Sequence, residues 1–243
     1  MLEKVKKLRT LYFNQLDYFL ESFFMAKKNK GFFMVLEGID GSGTSTHTRK
    51  VSNWIRKLEV DEVVQTSEPT KGMIGRLIKE RLKEGGEGRA NNIEEAVIDA
   101  LLFAADRLEH VKKEILLALN EGKIVVCTRY IESSIVYQTA QGLDTNFIEK
   151  INKYVIIPDL VIILDISPEI ALKRAIRKRW EKFENTLFLT KVRELYKKRA
   201  KEKGYPLINS NRNIKEVEKD IQKIVLKHLT EKLKIQIETK KQK

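Results

Sequence analysis

Between residues 32 and 210 of this 243-residue chain, short apolar runs alternate with longer stretches in which apolar side chains return every three or four positions. FFMVLE (32–37), KIVVCTR (123–129) and LVIILDI (160–166) are almost continuously apolar, as strands covered on both faces are. EVVQT (62–66) and PLINS (206–210) are shorter and more polar strand candidates. The helical period predicts helices over 45–58, 73–84, 93–119, 168–183 and 185–202, with a closing helix over 213–235. Pro168 falls in the first turn of its helix, where a fixed φ and a missing N–H cost nothing. Strands alternating with helices predict an α/β fold: a doubly wound parallel sheet of about five strands flanked by helices. Ligands of such sheets bind beyond the carboxyl ends of the strands.

The two ends of the chain fall outside this pattern. Residues 1–30 read as an N-terminal extension, in which Leu8, Leu11, Tyr12, Leu16, Phe19, Leu20 and Phe23 recur as on an amphipathic helix. No uninterrupted apolar core or small-residue cleavage site makes it a signal peptide. Three readings stay open: a packing or oligomerisation helix, a helix lying on a membrane, or upstream sequence translated ahead of Met25. Residues 31–230 read as the main domain and 231–243 as a charged tail.

The chemistry starts where the first strand ends. GIDGSGTST (38–46) has the spacing of a phosphate-binding P-loop, G-x-x-x-x-G-K-[ST], except that Thr44 holds the lysine position. Gly38, Gly41 and Gly43 permit positive φ and leave no Cβ between the backbone and an anion. Ile39, Asp40, Ser42 and Thr46 complete the loop, whose N–H groups meet the positive end of a helix dipole. Ser45 keeps the hydroxyl that in such loops ligates Mg²⁺ accompanying ATP.

Composition narrows the classes without choosing among them. A single cysteine, Cys127, excludes an internal disulfide and a four-cysteine zinc site, and fits a reducing cytoplasm. His47, His110 and His228 are too scattered to suggest a metal site. No apolar run reaches the roughly 18 residues of a membrane span. The net charge of +13 suits a polyanionic partner, but the surplus is spread over surface-type helices and the termini, which argues against nucleic acid.

Four segments would meet at the strand ends: GIDGSGTST, SEPTKG (67–72), LLFAADRLEH (101–110) and TRYIESSIVYQ (128–138). In this order, and with PDLVIILDISPEIALKR and NSNRNIKEVEKDI behind them, they resemble the thymidylate kinases, P-loop enzymes that phosphorylate dTMP from ATP. The resemblance spans about residues 32–225 and implies a cytoplasmic, commonly homodimeric kinase using ATP with Mg²⁺. It implies that Gly38 to Thr46 cradle ATP and that Asp40 holds the acceptor sugar near the transferred phosphate. Phe103 would stack on the pyrimidine while Arg107, four residues on, donates to its carbonyl edge. Arg129 would take the dTMP phosphate, Ser133 and Ser134 the base, and Tyr137 and Gln138 the sugar and base. A LID near 174–185, with Arg174, Arg177, Lys178, Arg179 and Lys182, would bring Arg177 and Arg179 onto the ATP phosphates.

Three positions depart from the family pattern: Thr44 for lysine, Thr128 for the aspartate before Arg129-Tyr130, and Lys182 for a LID arginine. Removing one transition-state donor typically costs roughly 10²–10³ in rate. The sequence therefore leaves two readings, an active thymidylate kinase and a catalytically weakened protein of the same fold that binds nucleotide.

Overall fold

The computed structural model describes residues 31–59, 61–84, 92–176 and 186–241. The N-terminal extension, Arg177 and Arg179, and the rest of the expected LID from 177 onward lie outside them. The strands are β1 (Phe32–Glu37), β2 (Val63–Ser67), β3 (Ile124–Thr128), β4 (Leu160–Asp165) and β5 (Leu207–Asn209). They form one sheet in the order β2-β3-β1-β4-β5, and every pairing is parallel. The expected fold class is therefore the one observed.

The helices follow the predicted period closely: α1 (Thr44–Arg56), α2 (Met73–Glu84), α3 (Ile93–His110), α4 (Leu116–Asn120), α5 (Ile131–Ala140), α6 (Thr145–Ile151), α7 (Pro168–Ile176), α8 (Thr186–Lys203) and α9 (Ile214–Lys241). Two differences have structural content. The single helix expected over 93–119 is interrupted by a π-turn at Val111–Ile115. The closing helix continues to Lys241, through most of the segment read as a tail.

Alternation along β1 decides which helix goes where. Phe33 and Val35 face a core shared with Val111, Ile115, Val136, Leu189 and Val192, from the π-turn, α5 and α8. Phe32, Met34 and Leu36 face the opposite core, built with Val51 and Ile55 of α1 and Val217, Ile221 and Val225 of α9. Both faces of the central strands are thus buried, which is why their sequences are apolar throughout. β2 is an edge strand and stays half-exposed, matching its more polar sequence. From β1 the chain first crosses to the β3 side and later to the β4 side. The carboxyl end of β1 is therefore the switch point at which such sheets bind ligands.

Candidate active site

At that end, Gly38, Gly41 and Gly43 take φ values of 151°, 81° and 95°. Space forbids a side chain as firmly as φ does: a Cβ on Gly41 would sit 2.4 Å from the carbonyl oxygen of Ala171. One on Gly38 would sit 2.6 Å from Ser42 Oγ and 2.7 Å from the Leu164 carbonyl oxygen. Gly43 is the N-cap of α1 and supplies no side-chain cap, so the first amides of the helix are left for another acceptor. Ser42 is buried with its hydroxyl unpartnered. The loop therefore has the backbone of an anion cradle. Thr44 is buried at 7% exposure, whereas Ser45 is exposed at the helix start.

β3 delivers the second component. Arg129 follows it with a φ of 62°, a left-handed backbone that costs a non-glycine residue roughly 1–2 kcal/mol. Its N–H donates to the Leu36 carbonyl at 3.0 Å, and the next N–H, of Tyr130, donates to Glu37 Oε1 at 2.7 Å. These bonds hold the kink, which turns the guanidinium toward the loop. There Nη2 donates to Asp40 Oδ1 at 2.8 Å and Nη1 to Ser133 Oγ at 3.0 Å. The Tyr137 ring lies 5.2 Å from the guanidinium carbon, and its hydroxyl donates to Asp40 Oδ2 at 3.4 Å. Asp40, Arg129 and Tyr137 are thus one cluster.

Arg107 is also near the strand ends but is almost wholly engaged. It is 1% exposed, and donates from Nε to Glu68 at 2.8 Å and from Nη1 to Asn152 at 2.6 Å. Its Nη2 donates to the Tyr130 carbonyl at 3.1 Å and to Ser134 Oγ at 2.9 Å. Glu68 also meets His110 Nδ1 at 3.1 Å. Burial would lower the His110 pKa, but hydrogen bonds and charge from Glu114 and Glu68 outweigh it and lift the value to about 9. Asp106 holds the turn before α2 by accepting from the Thr70 N–H and hydroxyl.

Ser134 is 2% exposed and its hydroxyl serves Arg107, while Ser133 Oγ donates to Glu37 Oε2 at 2.6 Å. Both hydroxyls are thus bonded to the arginines, Ser134 to Arg107 and Ser133 to Arg129 at 3.0 Å. Phe103 is half-buried on α3, and Gln138 is buried with Oε1 unpartnered. Thr128 is 7% exposed, and its carbonyl accepts from the Glu68 N–H at 3.0 Å. Arg174 donates to the Ser210 carbonyl at 3.1 Å.

Sequence reasoning missed Glu37, Tyr196, Glu68, His110 and Asn152. Glu37 is fully buried beneath Arg129, accepting from Tyr130, Ser133 and the Tyr196 hydroxyl at 2.9 Å. Burial pushes its pKa up to about 7, against the opposing pull of Ser133, Arg129, Tyr130 and Tyr196. The available signal was a carboxylate closing an otherwise apolar strand, a residue rarely buried without partners. Among the described residues no helix is long and apolar enough to cross a membrane, and no cluster of His, Cys, Asp and Glu could hold a metal.

The thymidylate kinase family model matches residues 36–221. The probable thymidylate kinase of Pyrobaculum aerophilum is 48% identical over 195 residues, covering 79% of this chain and 95% of that protein. Those of Staphylothermus marinus and Pyrococcus horikoshii are 42% and 40% identical, covering 83% and 81% of this chain and 98% and 96% of their own. A cradle of glycines, an arginine bonded to the loop aspartate and a family match from the end of β1 to beyond β5 lead to one conclusion: the chain belongs to the thymidylate kinase family.

Proposed function

We propose that the protein transfers the γ-phosphoryl group of ATP to dTMP, giving dTDP and ADP. The observation that carries this reading is the 2.8 Å bond from Arg129 to Asp40, which sets a forked cation against the phosphate-binding loop. An oxygen of the dTMP phosphate attacks the γ-phosphorus in line, and the bond to the bridging oxygen of ADP breaks. Such transfers depend on positioning and on neutralising charge rather than on covalent help from the protein.

In this reading the amides of Gly38 to Thr46 hold the ATP phosphates. Arg129 holds the dTMP phosphate in a bidentate grip, and Asp40 and Tyr137 meet the sugar. Phe103 stacks on the base. Arg107 approaches it with whatever donor capacity its internal partners leave, fixed in place by Glu68, Asn152 and Ser134. Arg177 and Arg179 supply further charge at the ATP phosphates.

Mg²⁺ suits the side chains present. Ser45 offers an exposed hydroxyl at the start of α1, a hard oxygen donor for an ion otherwise held by phosphates and water. The ion would neutralise charge on the ATP phosphates. We further assign a homodimer, for which the exposed Met73 and Leu77 of α2 and Ile98 and Leu101 of α3 are suitable apolar groups. The lone buried thiol of Cys127 accords with a cytoplasmic location.

The test is ADP release from ATP and Mg²⁺ with a panel of monophosphates. Preferred turnover of dTMP is expected. Equal or better turnover of AMP, CMP or GMP would sink the assignment.

A further inference from the structure

A buried carboxylate stands directly behind the arginine assigned to the acceptor phosphate, and no step of the transfer uses it. We propose that Glu37 is a positioning residue for Arg129, its ionised carboxylate, closed off by Tyr196, setting both the backbone and the guanidinium of that arginine. The inference rests on the assignment of Arg129 to the dTMP phosphate.

Four donors converge on Glu37. Oε1 accepts the N–H groups of Tyr130 at 2.7 Å and Ser133 at 3.3 Å, and Oε2 the hydroxyls of Ser133 at 2.6 Å and Tyr196 at 2.9 Å. Leu36, the preceding residue, accepts the N–H of Arg129 itself. Residues 36 and 37 thus grip both peptide groups flanking the left-handed Arg129. Ser133 has one hydroxyl hydrogen, and Glu37 takes it. A lone pair of that oxygen then receives Arg129 Nη1 at 3.0 Å. The Tyr196 hydroxyl, from α8, donates to the same Glu37 Oε2 that Ser133 does, so the network ties three separated stretches of chain to one guanidinium.

The arrangement requires the charged form. Every neighbour of the carboxylate is a donor, and a protonated Glu37 would add another hydrogen where none can be accepted without rearrangement. The two backbone donors are fixed, so the hydroxyls of Ser133 and Tyr196 must turn, and Ser133 is the one bonded to Arg129. The facing groups leave Glu37 as the site that titrates. Arg129 is the facing cation, with Asp40 beyond it. Cys127 of β3, together with Tyr130 and Tyr196, is held well above its ordinary value chiefly by burial, and Tyr205 is also raised chiefly by burial. Tyr137 lies on the far side of the guanidinium. With its pKa lifted to about 7, Glu37 changes charge near neutrality.

The experiment measures KM for dTMP and for ATP with the intact protein from about pH 5.5 to 8.5, spanning that value. Wild type is compared with Glu37→Gln, Tyr196→Phe and Arg129→Lys. Glu37→Gln is expected to raise KM for dTMP about tenfold at the alkaline end, the scale of one charge-assisted hydrogen bond, with KM for ATP nearly unchanged. The variant-to-wild-type ratio should shrink toward the acid end, because wild type loses the carboxylate there too. Ionisation of dTMP itself cancels in that ratio. Tyr196→Phe removes one donor to the ionised form and should move the wild-type profile to higher pH. A ratio that does not vary with pH, or an equal rise in KM for ATP, overturns the proposal. If Glu37→Gln fails to fold, an unmoved profile in Tyr196→Phe overturns it alone. Arg129→Lys with unchanged KM for dTMP would instead show that the arginine was assigned wrongly.

Discussion

Replacing Glu68 with glutamine isolates the charge that holds Arg107 in the interior. Glu68 is 6% exposed and bonds both Arg107 and His110, and glutamine keeps its shape while removing its charge. Arg107, at 1% exposure, is then a buried cation without its counter-ion. Breaking a buried pair from one side costs about 3–5 kcal/mol, so a loss of that order is expected at neutral pH. The pH dependence supplies a second readout. His110 titrates near its ordinary 6.5 in the unfolded chain and at about 9 when folded. A raised folded pKa means that the folded chain binds the extra proton. The stabilisation is complete below pH 6.5 and is lost as pH rises through 9. At 1.36 kcal/mol per pKa unit the loss over that window has a ceiling of about 3 kcal/mol. Glu37 titrates between 4.5 and about 7, so its own contribution falls mostly below this window. In Glu68→Gln, Glu114 remains as the carboxylate partner of His110, and the alkaline loss should fall by about half. Denaturant midpoints and slopes at about pH 6.5, 7.5 and 9 measure both effects. A variant less than about 1 kcal/mol below wild type would refute the buried-pair argument. An undiminished alkaline loss would refute the role of Glu68 in holding the His110 proton.

Two further predictions address the loop. Thr44→Lys should raise kcat at least about tenfold, equivalent to about 1.4 kcal/mol of barrier, with less effect on ATP affinity. In the proposed reading the amides hold the ground state, and no gain in Thr44→Lys, Thr128→Asp or the double variant would show that lost charge is not limiting. Gly41→Ala combines a φ of 81° with a Cβ 2.4 Å from the Ala171 carbonyl, so it should displace the loop from α7 and weaken ATP binding more than about tenfold. Calorimetric titration with ATP giving an unchanged Kd would contradict the close-approach reading.

The alternating pattern made the sheet legible because β1, β3 and β4 are buried on both faces and carry almost nothing polar. It left α5 unassigned for the opposite reason. Glu132, Ser134, Ile135, Val136, Gln138 and Ala140 are all buried, so that helix has no polar stripe to reveal its period. The π-turn escaped because it breaks hydrogen-bond spacing without interrupting the apolar repeat. In the site, loop glycines and the arginine after a strand announce themselves locally. Whether a donor is free or already used does not. Arg107 finds partners at positions 68, 130, 134 and 152, which no local spacing connects. The partners of Ser133 and Ser134, at 37, 107 and 129, are scattered along the chain in the same way.

The departures at 44 and 128 read differently once burial is known. Each position is 7% exposed and filled by a short hydroxyl side chain. A charged side chain at either place would have to reach the phosphates or find a partner, which the single and double variants at 44 and 128 test. Among the described residues, Arg129 stands beside the amide cradle, bonded to the loop through Asp40 and held from behind by Ser133 and Glu37. Phosphoryl transfer asks for position and positive charge, and on the proposed assignment a guanidinium fixed at that many points would supply both with little reorganisation as charge shifts. On that assignment a loop without its lysine makes the support of Arg129 more consequential, because less of the charge stabilisation would be shared with the loop itself.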